Sequence, residues 1–197
     1  MNPVLLNGIK IPVPFSGENQ FHEVINYLKG QIDPGSALIT SVKIDGSEIP
    51  NTEDHALGIT PLSHFGLIEV FTSHPKEVAD DTLQDLIEFS KILEDLSRDS
   101  AEHMNETEFP IYFDRLMDGI GTFTDAISGV KRILKLGLFN SIQALETELL
   151  ASLREILKAK EKGEKELLSQ LLNENLPRNF KNWRESGLPS LVRSRDS

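Results

Sequence analysis

Residues 109–134 read FPIYFDRLMDGIGTFTDAISGVKRIL, and this stretch decides the architecture. Phe109, Phe113, Leu116, Ile120, Phe123, Ile127, Val130 and Leu134 follow one another at alternating steps of four and three. An α-helix turns once in about 3.6 residues, so this spacing stacks all eight on one apolar stripe. The pattern predicts a helix to about Leu136, with Pro110 in its first turn, where a missing N–H is tolerated. Gly137, ahead of Leu138 and Phe139, reads as its stop, and Asn140 or Ser141 as the cap of the next helix. Gly119, Thr122, Ala126 and Gly129 form a small-residue strip beside the seam, where a second helix has room to approach.

Partners for the seam lie on both sides of it. Upstream, Ser73 or His74 is placed to cap a helix with Pro75 in its first turn, and Ala79, Leu83, Leu86, Phe89, Leu93 and Leu96 carry its apolar stripe to about Arg98. Ser100 to Glu108 is polar and nonperiodic, the pattern of a loop or a frayed turn. Downstream, Ile142, Leu145, Leu149, Leu153 and Ile156 form a further stripe, and Leu167, Leu168, Leu171 and Leu172 resume it beyond a charged run. Whether Gly163 splits this segment is left open by the pattern, and Pro177 stands after the last residues expected to be helical. Residues 74–176 are therefore expected to form an antiparallel bundle of three to four long helices.

The first seventy residues have a different grammar. Asn7-Gly8 and Asp45-Gly46 each stand between apolar runs, Val4 to Leu6 with Ile9 to Val13, and Leu38 to Ile44 with Ser47 to Ile49. Such pairs supply the positive φ angles of a two-residue hairpin turn. Phe21, Val24, Ile25 and Leu28 mark one face of a short helix that Gly30 is placed to end, and Asp33-Pro34-Gly35 is a turn. An irregular connector, with turns at Asn51 to Asp54 and Thr60 to Leu62, leads to a last strand over 66–72. Hairpin, helix, hairpin, connector, strand: over Asn2 to Thr72 this order resembles the ubiquitin-like β-grasp fold. The resemblance implies a β-grasp-like domain at 1–73; with the helical bundle at 74–176 and a basic, aromatic tail at 177–197, an α+β chain is expected. Modifiers and sulfur carriers of that fold end in a free diglycine, where this chain has Ser73-His74-Pro75, and its ferredoxins need cysteines. An adaptor or recognition module is the role that the resemblance leaves.

Composition narrows the function classes. A formal charge of -11 and a pI near 4.9 disfavour nucleic-acid binding, which needs a clustered basic face. The chain has no cysteine, which removes disulfides, thiolate catalysis and cysteine-ligated metal centres. The start MNPVLLNGIK has no basic-then-apolar signal pattern, and no apolar run reaches the roughly 20 residues that span a bilayer. A cytoplasmic protein without a membrane role is expected.

No residue set announces catalysis. The histidines His22, His55, His64, His74 and His103 lack both the Glu-x-x-His pairing of di-iron bundles and the i, i+4 spacing of helical zinc sites. His55 and His64 share the irregular connector with Glu53 and Asp54, ligand types that also occur as ordinary polar loop residues. No metal, cofactor or catalytic residue is expected. Asp81, Asp85 and Glu88 line one helix face and suit the docking of a basic partner better than paired acid–base work. In the tail, Phe180, Trp183, Arg184 and Leu188 allow two readings: aromatics folded back on the bundle, or a docking peptide with a large anchor and flanking arginines. The expectation is a non-enzymatic adaptor that binds protein partners through both domains, with a homodimer through the helical one. A secretion or flagellar-export type chaperone clamping a client segment is the alternative, and an enzyme stands third.

Overall fold

The computed structural model describes residues 3–50, 52, 54–136 and 140–195. The stop expected at Gly137, Leu138 and Phe139 lies outside the described residues, as do Asn51 and Glu53 of the connector and the side chains of Asn140 and Ser141. The protein is α+β, a mixed five-stranded sheet followed by helices. It divides into two compact units, up to Val78 and from Ala79 onward.

In the first unit, β1 (Val4–Leu6) and β2 (Ile9–Ile11) form a hairpin, α1 (Phe21–Gln31) follows, and β3 (Leu38–Ile44) turns into β4 (Ser47–Glu48). A short α2 (His55–Gly58) and a single 3₁₀ turn (Leu62–His64) lead into β5 (Ile68–Ser73). The spatial order is β2-β1-β5-β3-β4, with β1 and β5 parallel and the other pairs antiparallel. Both hairpin turns adopt the geometry that their dipeptides favour: Asn7 and Gly8 have φ of 49° and 79°, Asp45 and Gly46 of 51° and 81°. The Asp45 carboxylate also accepts from Gly66 N at 3.1 Å and Leu67 N at 2.7 Å, tying the second turn to the entry of β5. Phe21, Val24, Ile25 and Leu28 on α1 are buried with Val4, Val42, Ile68 and Val70 of the sheet. Gly30 does not end α1, which runs one residue further. The stop comes at Ile32, already extended, two residues ahead of Pro34.

The second unit is an up-down-up-down arrangement of four helical segments. α3 (Pro75–Glu102) begins with His74 Nδ1 accepting from Lys76 N at 3.2 Å and with Glu77 accepting from His74 N at 3.2 Å. It runs past Arg98 to Glu102, with Ser100 and Ala101 buried and Ser100 Oγ donating to the Leu96 carbonyl at 2.7 Å. α4 (Phe109–Ile133) carries the seam: Phe113, Leu116, Ile120, Phe123, Ile127 and Val130 are all buried. It stops at Lys135, which has φ of 52°, while Leu136 N returns to Lys131 O at 2.9 Å. That is the left-handed closure usually given to glycine, here on a lysine. α5 (Asn140–Lys162) ends in the same way at Gly163, φ 68°, with Glu164 N bonded to Ala159 O, so the glycine does split the last segment. Of the two glycines in the small-residue strip, Gly119 meets a close neighbour, since a Cβ there would lie 2.7 Å from Leu93 Cδ2 of α3, whereas a Cβ at Gly129 would meet nothing within 4 Å.

The largest departure from expectation is the run 165–195, which stays helical through both Pro177 and Pro189. It consists of α6 (Lys165–Gln170), a π turn at Leu171–Asn175, α7 (Leu176–Asn182), a second π turn at Trp183–Gly187 and α8 (Leu188–Arg195). Each π turn sits immediately ahead of a Leu-Pro pair. Leu176 N–H bonds Leu171 O and Leu188 N–H bonds Trp183 O, five residues back instead of four. A wider turn lets the helix absorb a residue that has no N–H and crowds the carbonyl behind it. The slip leaves Leu172 O without a helical donor, since Leu176 N–H has gone to Leu171 and Pro177 has none. Ser97 Oγ of α3 donates to it at 2.6 Å in the core. Pairs down the unit fix the antiparallel order: Leu172 beside Ser97, Asn179 Nδ2 on Ser152 Oγ at 2.7 Å, and Arg184 on Ser90 and Glu94. Ser97→Ala should therefore strand a buried carbonyl and cost about 1–3 kcal/mol. Urea unfolding followed by the fluorescence of Trp183, the single tryptophan, measures it; a loss below about 0.5 kcal/mol would show that the carbonyl is satisfied without the serine.

Candidate functional site

The tail residues are where the structure changes the reading most. Phe180, Trp183 and Leu188 are buried in the core of the helical unit, with the rings of Phe180 and Trp183 edge-on to Phe123 at centroid distances of 5.6 and 5.7 Å. Arg184, half-buried, is ion-paired with Glu94 of α3, which Arg98 also approaches at 3.4 Å. These four side chains are taken up inside the protein, so the docking-peptide reading is not carried forward: 165–195 is the fourth helical segment of the bundle. Gly187 shows how closely it is packed. A Cβ there would lie 2.6 Å from Trp183 Cε3 and 2.8 Å from Leu145 Cδ1. Trp183 Nε1 is buried without a hydrogen-bond partner among the described residues, a cost that the ring's packing must outweigh.

The acidic row is exposed as expected. Asp81, Asp85 and Glu88 lie on the solvent face of α3, and Glu88 pairs with Lys91 at 2.8 Å. The histidines are dispersed in local roles. His22 Nδ1 meets Gly58 O at 2.8 Å, His74 caps α3, and His103 stacks on Tyr112 at 4.2 Å while bonding Glu106 at 2.7 Å. Among the described residues no three metal-ligating side chains come together. No helix of the described residues is long and apolar enough to cross a membrane.

One surface of the helical unit stands apart. Between α4 and α5 runs a groove of about 380 Å³ floored by Ile120, Phe123, Ile127, Leu149 and Trp183. Met117, Gly121, Thr124 and Ser128 of α4 form one rim, and Glu146, Leu150 and Leu153 of α5 the other. One end is closed by Lys131 paired with Glu146 at 2.8 Å; toward the other, Lys160 Nζ stands 3.8 Å from the centre of the Phe113 ring. Leu150 and Leu157, one heptad apart, are each about half exposed, at 51% and 50%, beside half-buried Leu153. In a water-facing position such a ridge forfeits about 25 cal/mol for every Å² of apolar surface left uncovered. The open hollow along β3, lined by residues 39–42 with 48–50 and 52, is larger at about 520 Å³ but bounded by side chains of mixed polarity. None of the protein families, curated proteins or solved structures compared with this chain matches it.

The sequence pattern singled out the seam and the tail but not this groove. The available signal was Leu150 and Leu157, seven apart and outside the five-residue stripe of α5.

Two consequences follow from these contacts. Gly187→Ala must displace Trp183 or Leu145 and should lower the stability of the helical unit by about 1–3 kcal/mol, read by chemical unfolding, with a red-shifted Trp183 emission in the native baseline; an unchanged midpoint would show the site to be roomier than the contacts imply. His103 has its pKa raised above the usual value of about 6.5, first by the hydrogen bond to Glu106 and then by the charges of Glu106, Asp99 and Glu102. Its stabilising contribution is complete below the unfolded-state pKa and disappears as pH rises through the raised one. NMR titration of the histidine ring signals should find His103 above 6.5 and Glu106→Gln should bring it down; a pKa at or below 6.5 in the parent protein would contradict the hydrogen bond.

Proposed function

We propose that this protein is a non-enzymatic, cytoplasmic adaptor that holds a protein partner on the α4–α5 face of its helical unit. The observation that carries the reading is the pairing of an open, apolar-floored groove with an exposed leucine ridge beside it. Grooves of this kind accept an amphipathic helix whose anchors recur at three- and four-residue steps. Small rim residues, Gly121, Thr124 and Ser128, let a helical backbone come close, and Leu150 and Leu157 supply apolar area that the free chain leaves in water.

For the N-terminal unit we propose a β-grasp-like recognition module. Its support is the strand order β2-β1-β5-β3-β4, the parallel β1–β5 pair and the single long helix between two hairpins. That fold serves many purposes, so this half of the proposal rests on topology alone. The exposed acids Asp81, Asp85 and Glu88 would favour a partner with basic residues. The groove equally supports a second reading, an export-type chaperone that clamps a client segment, because a transient client needs the same apolar channel.

Affinity capture from the native host with the full chain, set beside the Leu150→Glu, Leu157→Glu double variant, tests the docking face. Both leucines are exposed, so the variant should keep its helicity and melting behaviour. The reading expects a stoichiometric protein partner on the parent chain and its loss on the variant. Equal retention by both forms would move the docking surface elsewhere.

A further inference from the structure

We infer that the partner on the α4–α5 face is a second copy of this chain, docked about a two-fold axis. The inference rests on the reading of that face as a docking surface and names what occupies it.

A two-fold interface must be self-complementary, with any feature of one copy matched by a counterpart on the same patch of the other. This face carries both halves of such a match. Leu150 and Leu157 on α5 form a ridge, and the groove beside them, with Gly121 on its rim, forms the recess that the ridge of a second copy would enter. The charges divide largely in the same way, with exposed Arg132 on the same side of α4 and exposed Glu161 on the same side of α5 as the two exceptions. Asp114, Asp118 and Asp125 are exposed at steps of four and seven along the outward side of α4, and Arg154 and Lys158 are exposed four apart on the outward side of α5. None of the five has an ion-pair partner among the described residues. When the leucine ridge of one copy enters the groove of the other, the cations of α5 meet the carboxylates of the facing α4, and the two-fold axis makes this happen twice.

The dimensions are sufficient. α5 has 23 residues, so it is about 35 Å long, and two neighbouring helices give a face about 20 Å wide. That is roughly 700 Å² on each copy, close to the 800 Å² per partner of a standard stable interface. The formal charge of -11 on each chain opposes approach at a distance, but it is screened beyond about 8 Å at physiological salt, whereas contacting pairs are not.

The test uses the full chain and two charge-reversed variants, Asp118→Lys with Asp125→Lys, and Arg154→Glu with Lys158→Glu, in sedimentation equilibrium. The parent chain should be a dimer. Each variant alone should dimerise at least about tenfold more weakly, because like charges then face each other at both contacts. An equimolar mixture of the two should recover parent-like affinity as a heterodimer, since each reversed helix now meets its opposite. All positions are exposed, and circular dichroism verifies that the variants remain folded. A parent chain that stays monomeric at the highest attainable concentration would overturn the second copy as occupant. It would leave the docking face standing if the Leu150→Glu, Leu157→Glu variant still loses a captured partner of another kind. A dimer that neither the charge reversals nor their mixture affects would place self-association on another surface and overturn the inference as well.

Discussion

Leu176 N–H bonds the carbonyl of Leu171 rather than that of Leu172, and the helical unit depends on this one-residue slip. A proline at 177 in an ordinary α-helix would leave a carbonyl unpaired and drive its ring into the turn behind it, at a cost of about 3 kcal/mol or more. The π turn relieves the crowding, and Ser97 supplies the donor that the backbone no longer can. The helix therefore continues, and Phe180, Trp183, Leu188 and Leu191 enter the core instead of water. Phe123, the centre of the seam, receives two aromatic edges that it would otherwise lack. The seam of α4 is covered within the chain because a helix survives two prolines.

The same slip explains what could be read in advance in this unit and what could not. Regular periodicity reports on a helix with constant pitch, so the stripes of α3, α4 and α5 were legible to within a few residues. Proline is ordinarily a stop, and Pro177 was read as one. The contrary signal lies in spacing: Leu171 and Leu176 stand five apart, and so do Trp183 and Leu188. Steps of this size mark a helix that has gained a residue twice, once before each Leu-Pro pair. Such a pattern looks aperiodic when only steps of three and four are sought. Gly163 was ambiguous for a different reason, since a glycine has the freedom to break a helix without the obligation; its positive φ is fixed by the closing bonds around it.

In the sheet unit, local chemistry was legible and termination was less so. Asn7-Gly8 and Asp45-Gly46 specify their turns within two residues, and the hairpins followed. Gly30 misled because a glycine near a helix end suggests left-handed closure, whereas this helix ends by passing straight into extended backbone at Ile32. The pairing of β1 with β5, across more than sixty residues, has no local signature. The Asp45 carboxylate, bonded to two amides 21 and 22 residues away, belongs to the same class: one side chain serves its own turn and the start of a distant strand.

The groove follows from the width of the apolar arc on α5. Counting 100° per residue, Leu145, Ile156, Leu149, Ile142, Leu153, Leu157 and Leu150 span roughly 140° of its circumference. A helix at the corner of a four-segment bundle has two neighbours, and here α4 and the 165–195 run take the first five of those residues in whole or part. Leu157 and Leu150 lie at the far edge of the arc, beyond the reach of either neighbour, and no fifth segment exists among the described residues to cover them. Narrowing the arc by two polar substitutions would not disturb the core, since both side chains stand outside it. Their position beside a rim of glycine, threonine and serine is thus a property of the surface rather than a requirement of the fold. A surface that combines an uncovered ridge with a matching recess is one on which association gains apolar burial without any rearrangement of the bundle.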